Sequence, residues 1–161
     1  MATKNAGATP ATAVLTAAGV PFAEHLYAHD PAAPAYGPEA GAALGVPSAH
    51  VFKTLVVTGP DGLAVGLVPV DRQLDLKAMA AALGVKSVAM AQPAAAQRSS
   101  GYVVGGISPL GQRRRLPTVL DTSMRALATA YVSGGRRGFD ISLAPADLAR
   151  LTAATYAPIA R

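Results

Sequence analysis

Residues 51–68 read VFKTLVVTGPDGLAVGLV, and this stretch decides the fold. Two apolar runs, 51–57 and 63–68, flank Thr58-Gly59-Pro60-Asp61-Gly62, where proline presets one backbone dihedral and glycine accepts a positive one. The stretch predicts an antiparallel hairpin. Toward the N-terminus, Thr9 and Pro10 open a helix with Val14 and Leu15 on its apolar side, and Gly19 stops it. A short strand follows through Leu26-Tyr27. Residues 28–38, AHDPAAPAYGP, carry three prolines and a glycine and read as an ordered loop or crossover, with a short helix at 39–44 closed by Gly45 and Pro47.

Toward the C-terminus, Leu76, Met79, Ala80 and Leu83 recur at helical spacing before Gly84. Residues 86–90 predict a short strand and 93–97 one helical turn. The glycine-rich segment GYVVGGISPLG, 101–111, follows. Strands are expected at 118–120 and 130–133, around a small helical or turn segment, and at 139–141. Pro145 opens a last helix to about Leu151, and the tail ends near Ile159. Many short strands with interspersed helices favour a mixed α/β or α+β domain over a regular parallel βαβ series.

Composition sets the outer bounds. With 161 residues, 51% of them hydrophobic, one domain spanning 1–161 can bury roughly 70% of its unfolded surface without disulfides or a structural metal. The absence of cysteine removes a disulfide scaffold, a cysteine nucleophile and thiolate metal sites. Apolar runs break well before the roughly 18 residues of a membrane span, and no secretory signal is read at the N-terminus, so a cytoplasmic setting is expected.

The 14 Lys and Arg outnumber the 9 Asp and Glu, and they are unevenly placed. Arg98, Arg113, Arg114, Arg115, Arg125, Arg136 and Arg137 lie in one segment whose acidic residue is Asp121. Their forked donors suit phosphate oxygens, although a solvated turn accounts for a short basic run equally well. GYVVGGISPLG lacks P-loop spacing, and VSGGRRGFD lacks the strand-to-helix context of a dinucleotide site. Glycine amides can still approach a carbonyl oxygen or phosphate closely. His25 and His29 do not form HExxH, His50 stands apart, and no GxSxG elbow is present, so neither a metal nor a serine triad is expected. Lys53 interrupts an apolar strand and either borders a pocket or sits at an edge, with Thr54 on the opposite side by alternation. Asp140 could orient a substrate amine or pair with an arginine.

FKTLVV at 52–57, QRSSGYVVGGISPLGQRRRLPTVLD at 97–121, YVSGGRRGFDISLAPADLARL at 131–151 and HLYAHDP at 25–31 together resemble the YbaK/EbsC family over nearly the whole chain. The resemblance implies a mixed α+β editing domain with a barrel-like sheet surrounded by short helices. It implies trans-editing of mischarged aminoacyl-tRNA, Cys-tRNA(Pro) above all, with transient association with prolyl-tRNA synthetase and no cofactor. The family lysine falls on Lys53, with Thr54 beside it. The tyrosine, glycines, serine and aspartate of the substrate pocket fall on Tyr27, Gly105-Gly106, Ser133 and Asp140. In the roles so implied, Lys53 holds the terminal ribose or phosphate and the amides at Gly105 and Gly106 stabilise the oxyanion. Tyr27, Thr54, Ser133 and Asp140 shape the pocket, and the substrate thiol assists its own release. Arg98, Arg113, Arg114, Arg115, Arg136 and Arg137 are then expected to meet the acceptor stem. The alternative reading is a noncatalytic RNA- or phosphate-binding module.

Overall fold

The computed structural model describes residues 8–28 and 41–161. The hairpin is built from β2 (Phe52–Gly59) and β3 (Gly62–Pro69), joined by the two-residue turn Pro60-Asp61. Gly62, at φ +111°, adopts the conformation that this tight turn requires. The remaining strands are β1 (Ala23–Leu26), β4 (Ala89–Met90), β5 (Thr118–Asp121), β6 (Ala130–Arg136), β7 (Phe139–Leu143) and β8 (Thr155–Ala157).

These strands form two sheets, ordered β1-β7-β6 and β4-β2-β3-β5-β8. The first is antiparallel. The second is mixed, because β5 runs parallel to both β3 and β8. The expected mixed α+β class holds, but the barrel-like sheet does not: both sheets are open. One parallel bridge, Val51 to Tyr131, connects them, and β4 covers β2 only at Val57 and Thr58. Closure requires a continuous ladder of staggered strands, and two paired residues cannot supply it.

Side-chain alternation explains the layers. Phe52, Val56, Val65, Leu67 and Leu120 meet Val132, Phe139, Ile141 and Leu143 of the three-stranded sheet, together with Leu15 of helix α1 (Pro10–Ala18). The opposite face of β2, β3 and β5 presents Val57, Ala64, Val68 and Val119 to Met79 of α2 (Leu76–Leu83). Burial on both faces is why β3 reads as an almost unbroken apolar run. Gly66 makes room for α2, since a Cβ there would lie 3.3 Å from Met79 Sδ.

Helix ends follow their sequence signals. Thr9 and Thr12 form a reciprocal capping box on α1, and Gly19 ends it in the left-handed conformation. Asp75 caps α2 through the Ala78 N–H at 3.1 Å. The third helix, α3 (Pro93–Ser100), extends a turn beyond the expected stop. Its last carbonyls, on Ser99 and Ser100, accept from the amides of Arg114 and Arg113, a tertiary cap invisible to local periodicity. Helix α4 (Pro145–Thr152) begins at its proline as expected. The strand expected at 86–90 shrinks to β4, and β8 was not anticipated. The helix expected at 39–44 is described only at 41–44, which is helical; the rest of it, and His29, lie outside the described residues. No helix of the described residues is long and apolar enough to cross a membrane.

Candidate active site

The gap beside β2 becomes a cavity of about 380 Å³. Among the described residues, no strand beyond β4 pairs with the outer edge of residues 52–55, and the adjoining link is the Val51–Tyr131 bridge. That bridge also aligns the two sheets' faces, so Val51 and Lys53 share a side with Tyr131 and Ser133. Asp140, directly across from Ser133, extends the same polar face. Tyr27, Lys53, Thr54, Gly105, Ser133 and Asp140 all line the cavity, although they come from four separate stretches of chain. Met90 and Val104, also in its wall, are large apolar residues left exposed there.

Alternation does place Thr54 on the side opposite Lys53, with Phe52 and Val56 facing the main core. Both residues reach the cavity because it wraps the open edge of β2. Antiparallel pairing adds a second consequence. Gly59 and Gly62 flank a two-residue turn and form a hydrogen-bonded pair. Every second pair follows suit, Val57–Ala64, Leu55–Gly66 and Lys53–Val68. The amide and carbonyl of Thr54 and Val56 therefore point away from β3; Val56 C=O accepts from Ala91 N–H at 3.0 Å. Those of Thr54 face the gap, and Thr54 Oγ1 is buried without a hydrogen-bond partner among the described residues. Such a group normally has a partner, so its cavity position suits a ligand atom.

Two titratable groups are perturbed by the same burial. Desolvation lowers the Lys53 pKa, with the Asp71 charge opposing it. Asp140 is 6% exposed, and burial pushes its carboxyl up to about 7. No arginine pairs with it among the described residues. Tyr27 is held by its amide, which donates to Gly138 C=O at 3.0 Å, and it packs against Val51 and Val70. Ser133 Oγ accepts from Gly135 N–H at 3.2 Å within a bulge that Gly135 enters at φ +117°. His25, next to Asp140 on β1, is directed elsewhere: Nε2 contacts Ser142 Oγ at 2.8 Å, and burial lowers its pKa.

The two glycines differ. Gly105 lines the cavity at φ +91°. Gly106 is buried, does not line it, and donates its N–H to Val103 C=O at 2.9 Å. A Cβ at Gly106 would lie 2.7 Å from Arg136 Cα, so this glycine serves the close approach of two backbones.

The arginines fall into separate groups. Arg98, Arg113, Arg114 and Arg115 are exposed around the C-terminal end of α3. Arg136 and Arg137 occupy the β6–β7 turn, where the Arg136 guanidinium lies 5.0 Å from the centre of the Phe139 ring. Arg125 stacks on Tyr156 at 4.4 Å. Sequence reasoning did not find Met90, Val104 or Ile107 in the cavity wall, because isolated apolar residues carry no chemical signature.

Residues 31–151 match the aminoacyl-tRNA editing domain family. The chain belongs to that family. It is 38% identical over 117 residues to EbsC of Enterococcus faecalis, a candidate Cys-tRNA(Pro)/Cys-tRNA(Cys) deacylase by name, covering 72% of this chain and 71% of EbsC. It is 30% identical over 96 residues to the proline–tRNA ligase of Thermosipho africanus, covering 60% of this chain but only 17% of the ligase. The fold also matches the crystal structure of a candidate trans-editing enzyme for prolyl-tRNA synthetase, with a TM-score of 0.82 and 24% identity over 99% of both chains. The editing domain thus has relatives of its own size and a counterpart segment within much longer ligases.

Proposed function

We propose that this editing domain hydrolyses the ester of mischarged aminoacyl-tRNA in trans, with Cys-tRNA(Pro) as its leading substrate. The observation that carries the reading is the convergence of Tyr27, Lys53, Thr54, Gly105, Ser133 and Asp140 on one cavity. Similarity to EbsC supports cysteine as the amino acid, and the ligase similarity supports a connection with proline charging. Discrimination by size between near-isosteric amino acids is modest, so a second hydrolytic test is chemically useful.

In this reading Lys53 binds the terminal ribose or phosphate and fixes the ester. Gly105 N–H meets the oxyanion as it develops on the carbonyl. Gly106 N–H is already committed to Val103, so it contributes by packing. The Thr54 backbone groups and Oγ1, with Ser133 and Asp140, orient the aminoacyl group; an ionised Asp140 suits its ammonium. The chain has no cysteine, so any thiol in the reaction belongs to the substrate. Attack of that thiol on the ester carbon forms a carbon–sulfur bond and breaks the carbon–oxygen bond. The thiol proton leaves with the tRNA hydroxyl, and water then opens the cyclic thioester. The exposed arginines around α3 meet acceptor-stem phosphates, and association with prolyl-tRNA synthetase is transient.

The test is release of labelled amino acid from Cys-tRNA(Pro), Ala-tRNA(Pro) and Pro-tRNA(Pro). Preferential release of cysteine is expected. Specific tRNA binding with no release from any of the three would overturn the enzymatic reading and favour an RNA-binding module.

A further inference from the structure

Three consecutive peptide units run from Val103 to Gly106, with Val104 and Gly105 in the cavity wall, and their hydrogen bonds are unequal. Val104 N–H donates to Gln97 Oε1 at 2.9 Å, and Gly106 N–H donates to Val103 C=O at 2.9 Å. Between them, Gly105 N–H has no protein acceptor among the described residues. The carbonyl of that same peptide unit, on Val104, accepts from Arg137 Nε at 2.9 Å. A trans peptide is planar, with its C=O and N–H on opposite edges, so fixing the carbonyl fixes the direction of the amide. Gly105 N–H must therefore point away from the Arg137 guanidinium.

Charge adds to geometry. A hydrogen bond from a cation to a carbonyl is stronger than a neutral one, and it polarises the peptide so that the opposite N–H becomes a better donor. The surroundings are built for this contact. Gly106 has no Cβ because the Arg136-Arg137 backbone occupies that space, with Arg137 N 2.8 Å from the ideal Cβ position. Gln97, on α3, holds the neighbouring peptide from the other side.

We propose that Arg137 is a positioning residue: through the Val104 carbonyl it aims and polarises Gly105 N–H as the oxyanion donor. This removes Arg137 from the set of phosphate-binding arginines expected from the sequence. The assignment rests on the deacylation reading above.

The test is steady-state deacylation by Arg137→Ala, Arg137→Lys and Gln97→Ala, with wild type assayed in parallel and folding checked by circular dichroism and thermal melting. Removing an oxyanion donor outright costs about 10²–10³ in kcat, so a misaimed one should cost roughly tenfold or more. For Arg137→Ala the expected result is that loss in kcat, KM within about twofold, and an unchanged salt dependence of kcat/KM. Arg137→Lys should recover part of kcat, and Gln97→Ala should also lower kcat. A raised KM with a flatter salt response and unchanged kcat would make Arg137 a phosphate contact and overturn the assignment. If Arg137→Ala does not fold, unchanged kcat in folded Arg137→Lys and Gln97→Ala overturns it equally. Wild type inert toward every aminoacyl-tRNA overturns the deacylation reading and this assignment together, whereas active wild type with unaffected variants overturns this assignment alone.

Discussion

Ser133 and Asp140 stand opposite each other on β6 and β7, and both border the cavity. Asp140 thereby carries a carboxyl in a largely dehydrated site, with its pKa raised by burial to about 7. In the unfolded chain the same group ionises near the ordinary carboxylate value of about 4. Between those values the native state holds a proton that the unfolded state has released, so this group lowers stability as pH rises and its effect levels off above about 7. Asp140→Asn should flatten that dependence and be more stable than wild type above neutral pH, by up to about 4 kcal/mol on a shift of roughly three units. Urea midpoints measured from pH 5 to 8 check this, and parallel curves for the two proteins would reject it.

Lys53 presents a different balance, since burial favours its neutral form and the Asp71 charge opposes that effect. A lysine that borders a cavity and is only partly buried contributes little to folding, so its replacement should separate stability from activity. Lys53→Ala should lower kcat/KM for Cys-tRNA(Pro) by about 100-fold or more, equivalent to about 3 kcal/mol of transition-state stabilisation. Its melting temperature should move by only a few degrees. Unchanged turnover by a folded variant would reject a central role.

Thr54 Oγ1 is buried with no hydrogen-bond partner among the described residues, which makes Thr54→Val informative in the opposite direction. Removing an unsatisfied polar atom from a buried position is neutral or stabilising, by about 1 kcal/mol at most. Activity should nevertheless fall, chiefly through a higher KM, if that oxygen meets the aminoacyl group. Chemical denaturation and deacylation kinetics on the same preparation separate the two effects. A destabilised variant with full activity would show that the hydroxyl has a structural partner instead.

The hairpin was legible because its signal is local: Gly59 and Gly62 bracket a turn whose geometry fixes the whole register of β2 and β3. The parts that were not legible depend on distant chain. β8 is three residues long and pairs with β5 in parallel, a contact with no sequence period of its own. The last turn of α3 depends on amides from Arg113 and Arg114. The open sheets follow from the shortness of β4, which a run of compatible residues at 86–90 conceals. At the site, the residue types came from the family resemblance, but the distinction between Gly105 and Gly106 required the hydrogen bonds. The pattern GG reads the same whether an amide is free or engaged.

The arginines offer a final separation of roles. Arg113, Arg114 and Arg115 are exposed beside Arg98, while none of these four lines the cavity. Their contribution should be electrostatic attraction of the acceptor stem, which appears in association and not in chemistry. Replacing Arg113, Arg114 and Arg115 together by alanine should raise KM at least tenfold at low salt and leave kcat within about twofold. The slope of log kcat/KM against log salt should become shallower by about one for each phosphate contact removed. A titration of deacylation rate from 50 to 300 mM salt, roughly the range over which the Debye length falls from about 14 to 6 Å, measures that slope. An unaltered slope would mean that these side chains form a solvated turn and that the tRNA approaches from another face.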